Sequence, residues 1–210
     1  MKAEKNKKNK THTVYKNELG KRVPSVTTIV GLLNKPYLMT WANKLGLGGM
    51  ELSSYMDDLA RVGTLAHAMI QAYFTKEEVC TDEYTKHDIS RAENSIRSFK
   101  NWVKANEIKP IFNERSLHGE EFGGTVDMLA EVNGELTLVD FKTGSGIYNE
   151  SFIQLAGYKL LLKEYKIKKC LIVRVGRDEQ EGFEIREVRD TKKYERIFKH
   201  LLAIYKLQKK

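Results

Sequence analysis

The run GGTVDMLAEVNGELTLVDFKTG, residues 123–144, decides the fold. Asn133-Gly134 reads as a two-residue hairpin turn, because both residues tolerate the positive φ that such turns require. The flanking segments TVDMLAEV and ELTLVDFKT read as its strands. In a two-residue hairpin the residues beside the turn pair, so Val132 faces Glu135. Counting outward gives Glu131–Leu136, Ala130–Thr137, Leu129–Leu138, Met128–Val139 and then Asp127–Asp140. The turn alone therefore predicts two aspartates opposite each other, with Cβ atoms about 4.5–5.5 Å apart. Side chains alternate along a strand, so Lys142 joins the Asp140 face and Phe141 points away.

Two facing carboxylates repel unless a positive charge lies between them. A divalent cation held by carboxylate oxygens fills that need, and Lys142 adds a second positive charge. Mg²⁺ or Mn²⁺ suits an oxygen site of this kind. A plain ion pair between Lys142 and one aspartate is the alternative, but it leaves the other aspartate unexplained.

Outward from the hairpin, IFNERSLHG reads as a preceding strand that carries Glu114. A helix, SFIQLAGYKLLLKEY, then a strand, CLIVRVG, follow it. Strand, helix, strand implies a right-handed crossover onto a parallel neighbour. FEIREV then reads as an edge strand, and TKKYERIFKHLLAIYKLQ as an amphipathic helix. The amino-terminal half has a helical period. THTVYKN and KRVPSV are short strands around NELG, and Ser25 caps a short helix, TTIVGLL. YLMTWANKLGL, the stretch from Glu51 to Phe74 and the stretch from Asp88 to Asn106 are further helices. The expected architecture is α/β: a mixed central β-sheet flanked by helices on both faces, with a helical amino-terminal half.

The 210 residues carry a formal net charge of +8, which favours a polyanionic partner. The first ten residues hold five lysines against one glutamate. They read as a disordered basic tail over residues 1–11, which either adds salt-sensitive, sequence-blind affinity for a polyanion or only solubilises. Residues 12–210 then form one domain, with a mainly helical part at 12–106 and a sheet with flanking helices at 107–210. The two cysteines, Cys80 and Cys170, suggest no disulfide framework. No apolar run reaches the roughly 18 residues of a membrane span, and no signal peptide is apparent, so a cytoplasmic protein is expected.

The hairpin resembles the core of the PD-(D/E)XK nucleases, and in particular the RecB-type exonuclease branch. Asp127 matches the first acidic residue and Asp140-Phe141-Lys142 the D-x-K element. Gly63 and His67 in GTLAH match the G-x-x-x-H helix motif. Glu114 takes the acidic position on the strand before the hairpin, and Gln154 and Tyr158 in QLAGY match Q-x-x-x-Y. The stretches Pro24 to Trp41 and Arg61 to His67 look like phage-encoded exonucleases and the mitochondrial genome maintenance exonuclease. The resemblance runs from about Val23 to Tyr158. D-x-K alone is a weak signal; five elements in order are a strong one. The cysteines that bind an iron–sulfur cluster in some relatives are missing, so no cluster is expected.

The resemblance implies the restriction-endonuclease-like fold and a metal-dependent DNA nuclease using Mg²⁺ or Mn²⁺. Asp127 and Asp140 would hold the metal, with the Phe141 carbonyl and the His67 imidazole completing the ligands. Lys142 would orient the attacking water or offset charge on the phosphate. Beside two carboxylates it should stay protonated. Glu114 binds a second metal, anchors nearby groups, or is a solvent-facing strand residue. Gln154 and Tyr158 contact the site or the DNA backbone, or form a buried polar pair. Arg61 and Thr64 contact phosphates, or Arg61 belongs to a solvated helix end. Tyr37 and Trp41 stack on bases or join the core.

The expected activity is that of an exonuclease working from DNA ends, with a preference for single strands. The alternatives are an endonuclease on branched or double-stranded DNA and a non-cleaving DNA-binding recombination subunit. A phage origin would place the protein in the host cytoplasm. DNA, single- or double-stranded, is the expected partner; no protein partner and no membrane partner is indicated.

Overall fold

The computed structural model describes residues 13–209. The basic tail expected over residues 1–11 lies outside the described residues. Asn133 and Gly134 adopt φ of 52° and 78°, as the two-residue turn requires. They join β4 (Gly123–Val132) to β5 (Glu135–Lys142). The register is the one counted from the turn, from Val132–Glu135 out to Met128–Val139, and there the ladder stops.

Five strands form the main sheet, in the order β3 (Ile108–His118), β4, β5, β6 (Lys169–Val175) and β7 (Phe183–Val188). β6 runs parallel to β5 and the other neighbours are antiparallel, so the sheet is mixed, with β7 at its edge. The crossover contains α5 (Asn149–Leu161), which ends earlier than its apolar pattern suggested: Leu162 leaves the helical region at φ −108° and ψ 41°. A separate ribbon pairs β1 (Tyr15–Lys16) with β2 (Arg22–Val23).

Helices cover both faces, because both are apolar. On one face α1 (Val26–Val30), α5 and α6 (Lys192–Gln208) bury Ile29, Leu129, Leu138, Ile153 and Phe198. On the other, α3 (Leu52–Thr75) and α4 (Lys86–Lys104) bury Ile70, Phe99, Met128, Val139, Phe141 and Val173. Local signals set the helix starts. The Ser25 hydroxyl accepts from the Thr28 amide, and Thr85 and Asp88 form a reciprocal capping box on α4. By contrast, α2 (Pro36–Leu47) has no buried residue among those described and packs mainly on α3.

One irregularity positions the site. In β4, Met128 and Ala130 belong to the α3–α4 core, yet Val126 belongs to the opposite core. Strict alternation would put all three on one face, so the strand changes phase at Asp127. On β3, Glu114 lies across from Asp127, between the pairs Asn113–Met128 and Arg115–Val126. Glu114 has a φ of 45°, in the left-handed region that non-glycine residues rarely occupy.

Candidate active site

The phase change explains why the hairpin ladder ends one pair before Asp127 and Asp140. Instead of completing a cross-strand pair, Asp127 turns its carboxylate to the neighbouring strand backbone. Its Oδ2 accepts a hydrogen bond from the Phe141 amide at 2.7 Å. The expected Lys142 placement holds: its ammonium meets Asp140 Oδ2 at 2.8 Å, while Phe141 is buried in the opposite core.

α3 brings His67 to the same place. His67 Nδ1 lies 3.7 Å from Glu114 Oε1 and 3.8 Å from Asp127 Oδ1. One ligand atom from each of His67, Glu114 and Asp127 can be chosen so that all lie within 4.8 Å of one another. α3 approaches this closely at Gly63, where an added Cβ would lie 3.0 Å from Thr143 Oγ1. The glycine of the G-x-x-x-H element thus has a packing reason: it clears room beside the strand end that carries Lys142.

α5 completes the arrangement. Gln154 Nε2 donates to Asp140 Oδ1 at 3.2 Å and to the Tyr158 hydroxyl at 2.9 Å. Its Oε1 accepts from Lys142 Nζ at 3.1 Å. Every polar atom of the amide is therefore used, and two of its partners are candidate catalytic groups. Gln154 and Tyr158 thus form the expected polar pair, and Gln154 also touches Asp140 and Lys142.

The electrostatics follow from burial and close like charges. Burial raises the Asp140 carboxyl to about 6; Lys142 pulls it down and Asp127 pushes it further up. Burial also raises Asp127 above the usual carboxylate range, while His67 opposes that rise and Glu114 reinforces it. Burial works against a charge on His67, but Asp127 and Glu114 outweigh it and hold the imidazole at about 9. The side chain remains 29% exposed, so a proton or an ion can reach it from the cleft. Burial likewise disfavours the charged Lys142, yet Asp140 and Asp127 keep it protonated and raise its pKa. Burial lifts the Tyr158 phenol well above its usual range, which keeps it neutral.

The residues fit a divalent cation. Two carboxylates, Glu114 and Asp127, converge with one imidazole beside a third carboxylate, Asp140, a donor set that hard or borderline ions accept. Asp140 Oδ2 is buried without a hydrogen bond of good geometry, leaving the Lys142 ammonium as its ionic contact. The structure differs from the expected ligand set in emphasis. Glu114 joins His67 and Asp127 in the tight cluster, whereas Asp140 is held slightly apart by Lys142 and Gln154.

A cleft of about 730 Å³ opens over these groups, lined by Gly63, Thr64, His67, Glu114 and Lys142 among others. Thr64 donates its hydroxyl to the Ala60 carbonyl at 2.9 Å. Arg61 does not line this cleft; it pairs with Asp58 at 2.6 Å and with Asp88 at 3.5 Å. Trp41 tilts against Tyr55 on α3. Among the cleft residues that sequence reasoning missed are Tyr148 and Arg177. Both stand in loops, where no periodicity marks a side chain as facing the site. Arg177 reaches the cleft only through the parallel crossover, and it is ion-paired with Glu181. Among the described residues, no helix is long and apolar enough to cross a membrane.

The chain is similar to several solved structures. One is a putative exonuclease from Eubacterium rectale, with 14% identity, 70% of this chain and 65% of that chain covered, and a TM-score of 0.49. Another is LHK-Exo in complex with dAMP, with 9% identity, coverage of 72% and 84%, and a TM-score of 0.43. A third is a phage related exonuclease from Haemophilus somnus 129PT, with 14% identity, coverage of 67% and 78%, and a TM-score of 0.39. No curated protein matches the chain in sequence. The profile of the PD-(D/E)XK nuclease superfamily matches residues 25–207, a span that holds every residue of the cluster just described. With that span matched and the mixed sheet presenting its acidic hairpin to the cleft, the chain belongs to the PD-(D/E)XK nuclease superfamily.

Proposed function

We propose that this protein is a Mg²⁺- or Mn²⁺-dependent deoxyribonuclease, built as one nuclease domain over residues 12–210, that degrades DNA from its ends. The observation that carries the reading is the convergence of His67, Glu114 and Asp127 beside the Asp140–Lys142 pair, at the foot of an open cleft. The preference for ends follows the five-element resemblance to the RecB-type exonuclease branch, including Gly63, His67, Gln154 and Tyr158.

His67, Glu114, Asp127 and Asp140 would hold the metal. When bound, a divalent ion polarises a phosphate oxygen and lowers the pKa of a bound water. The chain supplies the rest. Lys142 stays protonated and presents positive charge where the pentavalent phosphate gathers negative charge. Its protonated state favours this role over that of a neutral base. Gln154 fixes the ammonium relative to Asp140 by bonding both. The Phe141 amide fixes Asp127. The surplus of cationic residues attracts the polyanionic strand without regard to sequence.

The test is digestion of end-labelled linear and covalently closed circular DNA, single- and double-stranded, with Mg²⁺, Mn²⁺ or EDTA. Linear strands should shorten from an end in either metal, with no loss of circles and no reaction in EDTA. Cleaved circles would replace the exonuclease reading by an endonuclease. No cleavage of any substrate in either metal would remove the enzyme reading.

A further inference from the structure

Two aromatic rings stand at the mouth of the site, and the metal cluster does not account for them. Tyr37 lies in the first turn of α2, and Tyr148 is the residue before α5. Their rings stack with centroids 5.6 Å apart and planes 13° apart. Both remain well exposed, at 45% and 49%. Tyr37 is pinned: its hydroxyl donates to Glu150 Oε1 at 3.0 Å, and Lys35 pairs with the same oxygen at 3.3 Å. The hydroxyl end of Tyr148 lies over Gly146, where a Cβ would come within 3.3 Å of it.

Their position connects them to the chemistry. A recess of about 270 Å³ adjoins the main cleft and is lined by Lys35, Tyr37, Lys142, Tyr148 and Gln154 among others. The two cavities share Lys142, Tyr148 and Ser151. A group held against the tyrosines therefore sits next to the lysine assigned to the reacting phosphate. Exposed apolar residues elsewhere on α2, such as Met39 and Leu47, line neither cavity.

Paired aromatic rings beside lysines fit one occupant, a nucleobase attached to a phosphate chain. Every base has a π-face, so stacking on tyrosine needs no particular sequence. A base inside a duplex already has both faces covered; an unpaired or frayed base has a face to offer. Tyr37 is already held by Glu150 and stacked on Tyr148, so little of its side-chain freedom is lost on contact.

We propose that the Tyr37–Tyr148 pair is the stacking platform for an unpaired base of the strand whose phosphate reaches Lys142. The proposal rests on the nuclease reading for the identity of that strand. The platform selects single-stranded or frayed ends by geometry, and Lys35 and Lys142 hold the adjoining phosphates.

The test separates the platform from the nuclease reading by measuring binding in EDTA, where no cleavage is needed. The probe is a labelled single-stranded oligonucleotide in which one abasic sugar is moved along the first six nucleotides from either end. The full chain should bind about tenfold more weakly when the abasic sugar occupies one particular position. Tyr148→Ala should bind the intact strand as weakly as the parent binds that abasic strand, with no further loss on removing the base. Tyr148→Phe should restore the parental ratio. Should Tyr148→Ala lower the melting temperature, Tyr148→Leu reads the same ratio without a π-face. Equal intact-to-abasic ratios in the parent, Tyr37→Ala and Tyr148→Ala would overturn the platform, even in a protein that cleaves DNA with Mg²⁺. A tyrosine-dependent ratio in a protein that cleaves nothing would keep the platform and overturn the nuclease reading.

Discussion

The Phe141 amide donates a 2.7 Å hydrogen bond to Asp127 Oδ2, across two strands whose ladder has already ended at Met128–Val139. That contact turns Asp127 away from a simple cross-strand pairing with Asp140. It places the carboxylate between the β5 backbone and the His67 ring, 3.8 Å from Asp127 Oδ1. The acidic hairpin thus becomes a three-dimensional cluster through a single break in strand alternation.

Lys142 should separate catalysis from binding. DNA binding draws on many dispersed phosphate contacts, so Lys142→Ala should leave affinity in EDTA nearly unchanged. The transition state concentrates charge at one phosphorus, so cleavage with Mg²⁺ should fall on the order of a hundredfold, about 3 kcal/mol. Cleavage of a labelled strand and binding in EDTA measure the two effects. A parental cleavage rate in the variant would move the catalytic centre elsewhere.

Gln154 should act through its neighbours. Its amide bonds Asp140 and Lys142 together, so Gln154→Ala should lower kcat by roughly tenfold to a hundredfold while KM stays close to the parent's. Gln154→Glu keeps the side-chain length and the acceptor for Lys142 but sets a negative charge against Asp140. It should fare no better. A Gln154→Glu variant with parental kcat would show that the donation to Asp140 is dispensable.

Glu114 should be costly to the fold and useful to the site. Its φ of 45° strains any residue with a Cβ, a cost of order 1–3 kcal/mol. Glu114→Gly and Glu114→Ala both remove the carboxylate, so both should weaken the stabilisation that Mg²⁺ confers. In EDTA, however, Glu114→Gly should be the more stable of the two by about 1 kcal/mol, the reverse of the usual order in a strand. Thermal melting of the two variants decides it, and an alanine variant as stable as the glycine variant would dismiss the strain.

Metal binding should depend on pH in a stated direction. In the metal-free protein the Asp140 carboxyl is raised to about 6 and the His67 imidazole to about 9. Each raised group binds its proton more tightly when folded. Asp140 therefore withdraws stability as pH rises from about 4 through about 6. The contribution of His67 is full below its unfolded pKa of about 6.5 and is lost through about 9. A cation takes the place of these protons, so the melting-temperature gain from Mg²⁺ should grow from pH 6 to pH 9. His67→Ala should flatten the alkaline half of that rise. A gain independent of pH would detach these groups from the metal.

Much of the site was legible along the chain because local rules govern it. The Asn133-Gly134 turn dictates the register as far as Met128–Val139, and alternation beyond it puts Lys142 with Asp140 and Phe141 in the opposite core. Helical spacing alone aligns Gly63 with His67 and Gln154 with Tyr158. The order of strand, helix and strand requires the parallel β5–β6 pair. These relations span short stretches of chain, where backbone geometry leaves few choices.

Tertiary structure decided what depends on several elements at once. The phase change at Asp127 and the positive φ of Glu114 have no sequence signature, since neither residue is a glycine or an asparagine. They arise where β3, β4 and α3 meet, and they bring Glu114 into the cluster with His67 and Asp127. Arg61 has the right neighbours in sequence for a phosphate contact, yet Asp58 engages it within α3, and Asp88 does so through the packing of α3 on α4. Tyr37 and Tyr148 are 111 residues apart and carry no periodic signal; only the placement of α2 beside the start of α5 stacks them. Local sequence specifies which backbone states are cheap, while the juxtaposition of distant side chains is set by which faces must be buried together.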